Sequence, residues 1–513
     1  MFSQKRVTIT EELTYDDVLI KPQFSTIVSR KNTDLSILLT KNITLQLPII
    51  SSNMDTITED KMAIAMAKCG GMGIIHRYCS IKEQCEMVRN VKRYTNHIIK
   101  EPWSMNMQQS IEYAINIIKT NKVGSLLITN DNNCLVGILT QRDINKYIVS
   151  KEYSKYNTMS GIKEKMESED VCNFMTGFDD VIAYEIEGDD LHILNEQNEY
   201  EILQLCLENS IEQIPIINNR NEILGLIALK DMMYRNQLKN STFNVDVNKQ
   251  LVVGAAVGVV GDYLERTKKL IEAGVNIICI DIAHGHHMIC GETIIKIKKI
   301  HPNIEIIAGN VCTAQGVEYL ANCGADCVKV GIGPGGICIT RKQTGCGRPQ
   351  LTAVLECAEM AKRKNITIIA DGGHNRKSGN IFKAFCAGSS ASMLGGGLSG
   401  TTETPGKLFL KDNKKVKMIR GMAGIISNYK KNIKLDNNVN KSIESMTPEG
   451  VEGYVAYKGD VKDVLTQIEG GLRSGLSYIG CEQLSEVRHR RIEFIRITSN
   501  GLQESNSHGI NKI

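Results

Sequence analysis

The 513-residue sequence predicts an α/β fold, a (β/α)8 barrel interrupted by an insertion, and three observations carry that prediction. From about residue 248 to 400, short apolar runs alternate with amphipathic stretches, the pattern of parallel βαβ units. Two more strand-like runs precede residue 100. Between these regions, the chain from about 103 to 242 contains an internal repeat of its own.

In chain order, the first strands are Pro48-Ile-Ile-Ser51 and Gly71-Met-Gly-Ile-Ile-His76. The barrel resumes with Val252-Val-Gly-Ala255, Ile277-Ile-Cys-Ile280, Ile304-Glu-Ile-Ile307, Cys327-Val-Lys-Val330, Ile366-Thr-Ile-Ile-Ala370 and Ala391-Ser-Met-Leu394. Runs this apolar suit strands covered on both faces. Asp262–Ala273 and Thr313–Cys323 carry helical spacing between them. In the insertion, Cys134-Leu-Val-Gly-Ile-Leu-Thr-Gln-Arg-Asp143 matches Glu222-Ile-Leu-Gly-Leu-Ile-Ala-Leu-Lys-Asp231. Gly137 and Gly225 are 88 residues apart, as are Asp143 and Asp231. The predicted domains are residues 1–103 and 242–513 for the barrel and 104–241 for the insertion.

Composition narrows the function. A formal net charge of +4 with 23% charged residues gives no reason to expect nucleic acid or an anionic membrane as partner. The longest apolar run, Leu251–Val260, is too short to span a bilayer. Sixteen cysteines are dispersed without a Cys-x-x-Cys pair or metal-ligand spacing. Free thiols in a reducing compartment fit that pattern, and the expected location is cytoplasmic.

The chemistry points to one loop. Gly331-Ile-Gly-Pro-Gly-Gly-Ile-Cys-Ile-Thr-Arg341 follows the run 327–330 and delivers Cys338, with Thr340 two residues on. A nucleophile at the C-terminal end of a strand is where a (β/α)8 barrel puts its reaction. Cysteine is the strongest neutral nucleophile near pH 7 and holds a covalent intermediate readily. Read alone, such a thiol is more often a small core hydrophobe, and it is the surrounding loop that favours the nucleophile.

With this loop the chain resembles the inosine monophosphate dehydrogenase/guanosine monophosphate reductase superfamily, whose catalytic Cys lies on a G-x-G-P-G-S-x-C-x-T-R loop. Gly336 departs from it, standing where the family usually has Ser. The resemblance extends through Ile49-Ile-Ser-Ser-Asn-Met-Asp-Thr56, Ala308-Gly-Asn310, Ala370-Asp-Gly-Gly373, Leu394-Gly-Gly396, Pro448-Glu-Gly-Val-Glu-Gly453, Tyr457-Lys-Gly459 and Gly470-Gly-Leu-Arg-Ser474. The repeat in the insertion resembles a tandem pair of CBS modules, a nucleotide-sensing unit.

The resemblance implies a purine nucleoside 5′-monophosphate, GMP or IMP, as substrate. Cys338 would attack C2 of the purine, with Thr340 and Glu403 handling the proton of a departing ammonia. Gly335, Gly336, Gly372, Gly373, Gly395 and Gly396 would hold the phosphate, Asp371 the ribose, and Ser51, Met54, Met422 and Glu449 the base. Backbone N–H groups and close approach are what a phosphate needs from glycines. Arg77, Asp281 and Asn310 match the dinucleotide side, NADPH for the reductase and NAD for the dehydrogenase. Arg77 stands where reductases usually have Lys. The resemblance also points to a monovalent cation, K+, near Gly333, Gly335, Cys338, Glu504 and Ser505. Asp143 and Asp231 match ribose-binding carboxylates of a regulatory ATP or GTP site, and a homotetramer or octamer is implied.

Two chemistries share that intermediate. A dehydrogenase hydrolyses it with a flap Arg-Tyr pair. Here the flap should run from about Ala423 to Met446, where no arginine occurs, and Leu435 and Asp436 stand at the expected positions. Asn53 in Ser52-Asn-Met-Asp-Thr56 and Leu394-Gly-Gly-Gly-Leu-Ser-Gly400 also look reductase-like. Asp281-Ile-Ala-His-Gly-His286 and Gly501-Leu-Gln-Glu-Ser505 look like a bacterial-type dehydrogenase. The expected activity is therefore GMP reduction with CBS-mediated regulation. IMP dehydrogenase is the alternative, and a non-catalytic nucleotide sensor is the third reading.

Overall fold

The computed structural model describes residues 8–94, 98–99, 102–121, 123–146, 148–149, 181–186, 188, 196–229, 232, 242–424 and 448–507. The chain divides into two compact units, one of residues 1–94 and 241–513 and the other of Thr95–Asn240.

The first unit is built on a closed parallel barrel of eight strands. They are β1 (Ile49–Ser51), β2 (Met72–Ile75), β3 (Val253–Val257), β4 (Ile277–Asp281), β5 (Glu305–Val311), β6 (Cys327–Val330), β7 (Thr367–Asp371) and β8 (Ala391–Leu394). β8 closes on β1 through the register Met393 to Ile50. A helix follows each strand: α1 (Asp60–Lys68), α2 (Ile81–Arg93), α3 (Tyr263–Glu272), α4 (Met288–Ile300), α5 (Ala314–Asn322), α6 (Gln350–Arg363), α7 (Ser378–Cys386) and α8 (Val461–Ile479).

Alternation along the strands sorts two cores. Ile277 and Cys279 of β4 join Ile50, Ile74, Ile307, Cys327, Ile369 and Met393 inside the barrel. Ile278 and Ile280 face outward and pack with Val317, Leu320, Val354 and Leu270 from the helices. Both faces are covered, which is why the strands read as unbroken apolar runs.

Between β8 and α8 the chain makes an antiparallel sheet of β9 (Phe409–Lys411), β10 (Lys414–Arg420) and β11 (Glu452–Ala456). This sheet returns Gly421-Met422 and Glu449-Gly450 to the C-terminal end of the barrel. Cys338 forms an isolated antiparallel bridge with Gly450. Ile339 N–H donates to Glu449 O at 2.8 Å, and Val451 N–H to Ile337 O at 3.0 Å.

The second unit contains two copies of one motif. In the first, Ser104–Asn106 pairs in parallel with Ser125–Thr129, which pairs antiparallel with Leu135–Thr140. In the second, Tyr184–Ile186 pairs in parallel with Gln213–Asn218, which pairs antiparallel with Ile223–Ala228. Helices Ile111–Asn121 and Glu196–Glu208 occupy the same place in each. Cys134 and Glu222, equivalent positions of the sequence repeat, bridge each other antiparallel. Equivalent residues meeting head to head place a local two-fold axis between the copies. The unit starts at Thr95, earlier than the expected 104, because Ile98–Ile99 adds a strand to Leu226–Ile227.

Candidate active site

The C-terminal ends of seven of the eight barrel strands, β1 to β7, converge on one cavity of about 460 Å3. Its lining includes Ser52 and Met54 after β1, Arg77 and Tyr78 after β2, and Val259 and Val260 after β3. β4 supplies Asp281, β5 Asn310, and the loop after β6 Gly333, Gly335, Cys338 and Thr340. Met422, Glu449 and Gly450 close it from the antiparallel sheet. Through Ser52, Met54, Gly335, Asp371 and Gly372 it continues into a lobe of about 500 Å3. Gly335, Gly336, Gly372, Gly373, Gly395 and Gly396 all line that lobe, at the loops after β6, β7 and β8. The loops after strands 7 and 8 are where this architecture recurrently binds phosphate. The N-terminal residue of α7, Ser378, also faces it, adding a helix N-terminus to the anion-binding groups.

Cys338 heads a hydrogen-bonded relay. Its thiol donates to Thr340 Oγ1 at 3.2 Å, and the Thr340 hydroxyl donates to Glu449 Oε2 at 2.8 Å. The Cys338 N–H donates to Gly335 O at 3.1 Å, folding the loop back on itself. Arg341 locks the loop behind, its Nε donating to Ile332 O at 3.2 Å and its other nitrogen to Arg348 O. Gly372, at φ 83°, takes a left-handed conformation, and a Cβ there would lie 3.2 Å from Gly335 N. The position requires glycine.

Two carboxylates share the floor of the cavity. Asp371 Oδ2 accepts from Asn310 Nδ2 at 2.8 Å, and the same amide donates to Gly331 O at 2.8 Å. Asp281 Oδ2 accepts from Arg77 Nε at 3.1 Å. Burial works to raise the Asp281 carboxyl, but the charges of Arg77 and Lys329 outweigh it and hold it below the usual carboxylate range. Lys329 is itself buried, and the neighbouring Cys279, Asp371 and Asp281 keep its ammonium protonated against that burial. The Tyr78 hydroxyl donates to Met422 O at 3.0 Å and ties the antiparallel sheet to the barrel.

Several expectations need correction. Ser51 is fully buried, its hydroxyl accepting from Thr58 at 2.8 Å; the neighbouring Ser52 lines the cavity instead. The end of β1 points successive residues to opposite faces, so a shift of one exchanges core for cavity. Glu403 is not in the relay. Its carboxylate accepts from Val461 N–H at 2.9 Å at the start of α8, with the Lys417 ammonium as a charged neighbour. Glu504 and Ser505 end an exposed helix, Ser499–Glu504, and neither lines the cavity that holds Gly333, Gly335 and Cys338, so one chain does not assemble the expected K+ donors. Asp143 accepts from the Thr140 N–H at 3.0 Å and hydroxyl at 2.5 Å. Asp231 and the flap residues Leu435 and Asp436 lie outside the described residues.

Lys329, Tyr78 and the pair Arg420–Asp55 escaped sequence reading. Arg420 Nε donates to Asp55 Oδ2 at 2.8 Å, anchoring Gly421-Met422. A lysine inside an apolar strand was the one available signal, in Cys327-Val-Lys-Val330.

The IMP dehydrogenase / GMP reductase domain family matches residues 12–508 of the chain. The sequence is 40% identical over 502 residues to an inosine-5′-monophosphate dehydrogenase of Nitrosopumilus maritimus, covering 98% of each chain. It is 39% identical over 518 residues to a GMP reductase of Leishmania major, covering 99% of this chain and 98% of that one. Among solved structures it is similar to a cysteine-to-alanine variant of GMP reductase from Trypanosoma brucei in complex with guanosine 5′-monophosphate. That likeness has a TM-score of 0.82 and 38% identity, and it covers 98% of this chain and 99% of the other.

Proposed function

The chain belongs to the IMP dehydrogenase / GMP reductase family, and we propose that it acts as a GMP reductase, converting GMP to IMP and ammonia with NADPH. The observation that carries this reading is the flap sequence: residues 425–447 contain no arginine. Hydrolysis of a covalent intermediate needs an activated water, and losing the general base costs roughly a hundredfold or more in rate. Flap lysines Lys430, Lys431 and Lys434 are poor substitutes, since a lysine must first lose its proton. Reductive deamination needs no activated water.

The relay suits that reaction. Cys338 Sγ bonds to C2 of GMP, and its proton passes through Thr340 to Glu449. The relay returns a proton to the 2-amino group, which leaves as ammonia. NADPH, when bound, supplies the hydride that C2 receives as the thiolate departs. Overall, GMP, NADPH and two protons give IMP, NADP+ and ammonium. Arg77, Tyr78, Asp281 and Asn310 would hold the nicotinamide, and Val259, Val260 and Ile282 give that side an apolar wall for a flat ring. These residues fit the group.

In this reading the glycine lobe binds the 5′-phosphate, Asp371 the ribose, and Ser52, Met54, Met422 and Glu449 the base. The two-fold repeat of Thr95–Asn240 is a CBS pair that senses purine nucleotides such as ATP or GTP, and the barrels assemble as a homotetramer or octamer.

IMP dehydrogenase is the second reading, favoured by the equal similarity to dehydrogenases. Purified protein offered GMP with NADPH, then IMP with NAD, separates the two by the absorbance of the reduced nicotinamide. GMP-dependent loss of NADPH is expected, with little xanthosine monophosphate from IMP. Steady xanthosine monophosphate formation at a rate comparable to GMP reduction overturns the assignment.

A further inference from the structure

Positive charge gathers at the glycine lobe from residues outside the set assigned above. Arg376 lines the lobe, is exposed, and has no carboxylate partner among the described residues. Its backbone and that of Asn375 are both left-handed, at φ 60° and 50°. Residues bearing side chains adopt that region rarely, and such outliers cluster at ligand clamps. Asp16 holds the turn in place. It accepts from Asn375 Nδ2 at 2.8 Å, Lys377 Nζ at 3.0 Å and Asn380 Nδ2 at 3.0 Å. Asp16 therefore compensates Lys377 and leaves Arg376 to the lobe.

Lys458 approaches from the other side. Its ammonium donates to Gly397 O at 2.8 Å and Gly396 O at 3.3 Å, holding the turn that presents Gly395 and Gly396. Burial, and then the charge of Arg376, push the Lys458 ammonium down to about 8. Two cations close enough to disfavour each other are both relieved by a dianion between them.

We propose that Arg376 binds the 5′-phosphate of the nucleotide directly and that Lys458 is a positioning residue for the Gly395–Gly397 turn beneath it. Side-chain charge, added to the glycine N–H groups, then makes the lobe select phosphorylated over unphosphorylated nucleosides. Guanidinium is suited to this because it offers paired donors to phosphate oxygens. The proposal rests on reading the lobe as the phosphate site of a purine nucleotide.

The test is calorimetry of GMP, with guanosine by competition, on the full-length protein and three variants at low and high salt. Arg376→Ser should weaken GMP roughly tenfold, leave guanosine unchanged and flatten the salt dependence. Lys458→Met should weaken GMP several-fold, and Lys458→Arg should restore it. Because Arg376 is exposed, its variant keeps the fold. GMP affinity unaltered by Arg376→Ser, or guanosine weakened as much as GMP, overturns the proposal while the nucleotide reading stands. No GMP binding by the unmodified protein overturns both.

Discussion

Thr340 donates its hydroxyl proton to Glu449 at 2.8 Å while accepting from the Cys338 thiol at 3.2 Å. The two residues are 109 positions apart and meet because β10 and β11 carry the 448–450 segment back over the barrel. The acid that completes the relay is thus Glu449 and not Glu403. Glu449→Gln should lower GMP turnover by a hundredfold or more, with GMP affinity kept within about tenfold. Glu403→Gln should leave turnover near that of the unmodified protein and cost about 1 kcal/mol of stability, the worth of a helix-start contact. Steady-state rates and thermal melts on both variants check the contrast.

On the proposed reading, Cys338→Ala should abolish turnover and leave GMP binding within about tenfold, because that reading loses the bond to C2 and keeps the phosphate and ribose contacts. Full activity in this variant excludes the nucleophile.

Gly336 and Gly372 should respond in opposite ways. A Cβ at Gly336 meets nothing within 4 Å, and its φ lies outside the left-handed range. Gly336→Ser should fold normally and bind GMP at least as tightly, since a hydroxyl is added at a lobe-lining position. Gly372→Ala puts a side chain at φ 83° and 3.2 Å from Gly335 N. It should weaken GMP by tenfold or more, readable in the same titration.

His374 makes the fold acid-sensitive. Burial holds its imidazole neutral down to about 4, against the opposing pull of the Ala370 carbonyl oxygen, which accepts from its Nε2 at 3.2 Å. The folded value is below the unfolded one of about 6.5, so the unfolded chain binds more protons between the two. Stability present above about pH 6.5 is therefore lost as pH falls toward 4, by about 2 kcal/mol at pH 5. His374→Phe keeps a ring against Tyr15, which stacks on His374 at 5.5 Å, and removes the titration. Melting temperatures at pH 7.5 and pH 5 should converge in the variant relative to the unmodified protein.

Arg420→Met should destabilise the first unit by about 3 kcal/mol. It leaves the buried Asp55 carboxylate without its partner. The double variant Arg420→Met with Asp55→Leu should recover part of that loss, measured by urea unfolding. Recovery of nothing would mean that the pair contributes through the Gly421-Met422 path alone.

Local pattern alone determined much of this protein. Apolar runs such as Ile277-Ile-Cys-Ile280 announced the strands because both faces of a barrel strand are covered. The loop of Cys338 and the six lobe glycines were legible because backbone conformation and close approach restrict those positions to particular residue types. What only the tertiary structure decided are the relations across distance and the choice of face. Ser52 rather than Ser51 reaches the cavity because one residue reverses direction at the end of β1. Ile98–Ile99 joined the inserted unit through pairing with Leu226–Ile227, which a two-residue strand does not advertise. Glu449 replaced Glu403, and Asp55 found Arg420, because a carboxylate carries no mark of its partner in the chain: only the folded path sets which charge or hydroxyl comes within hydrogen-bond reach.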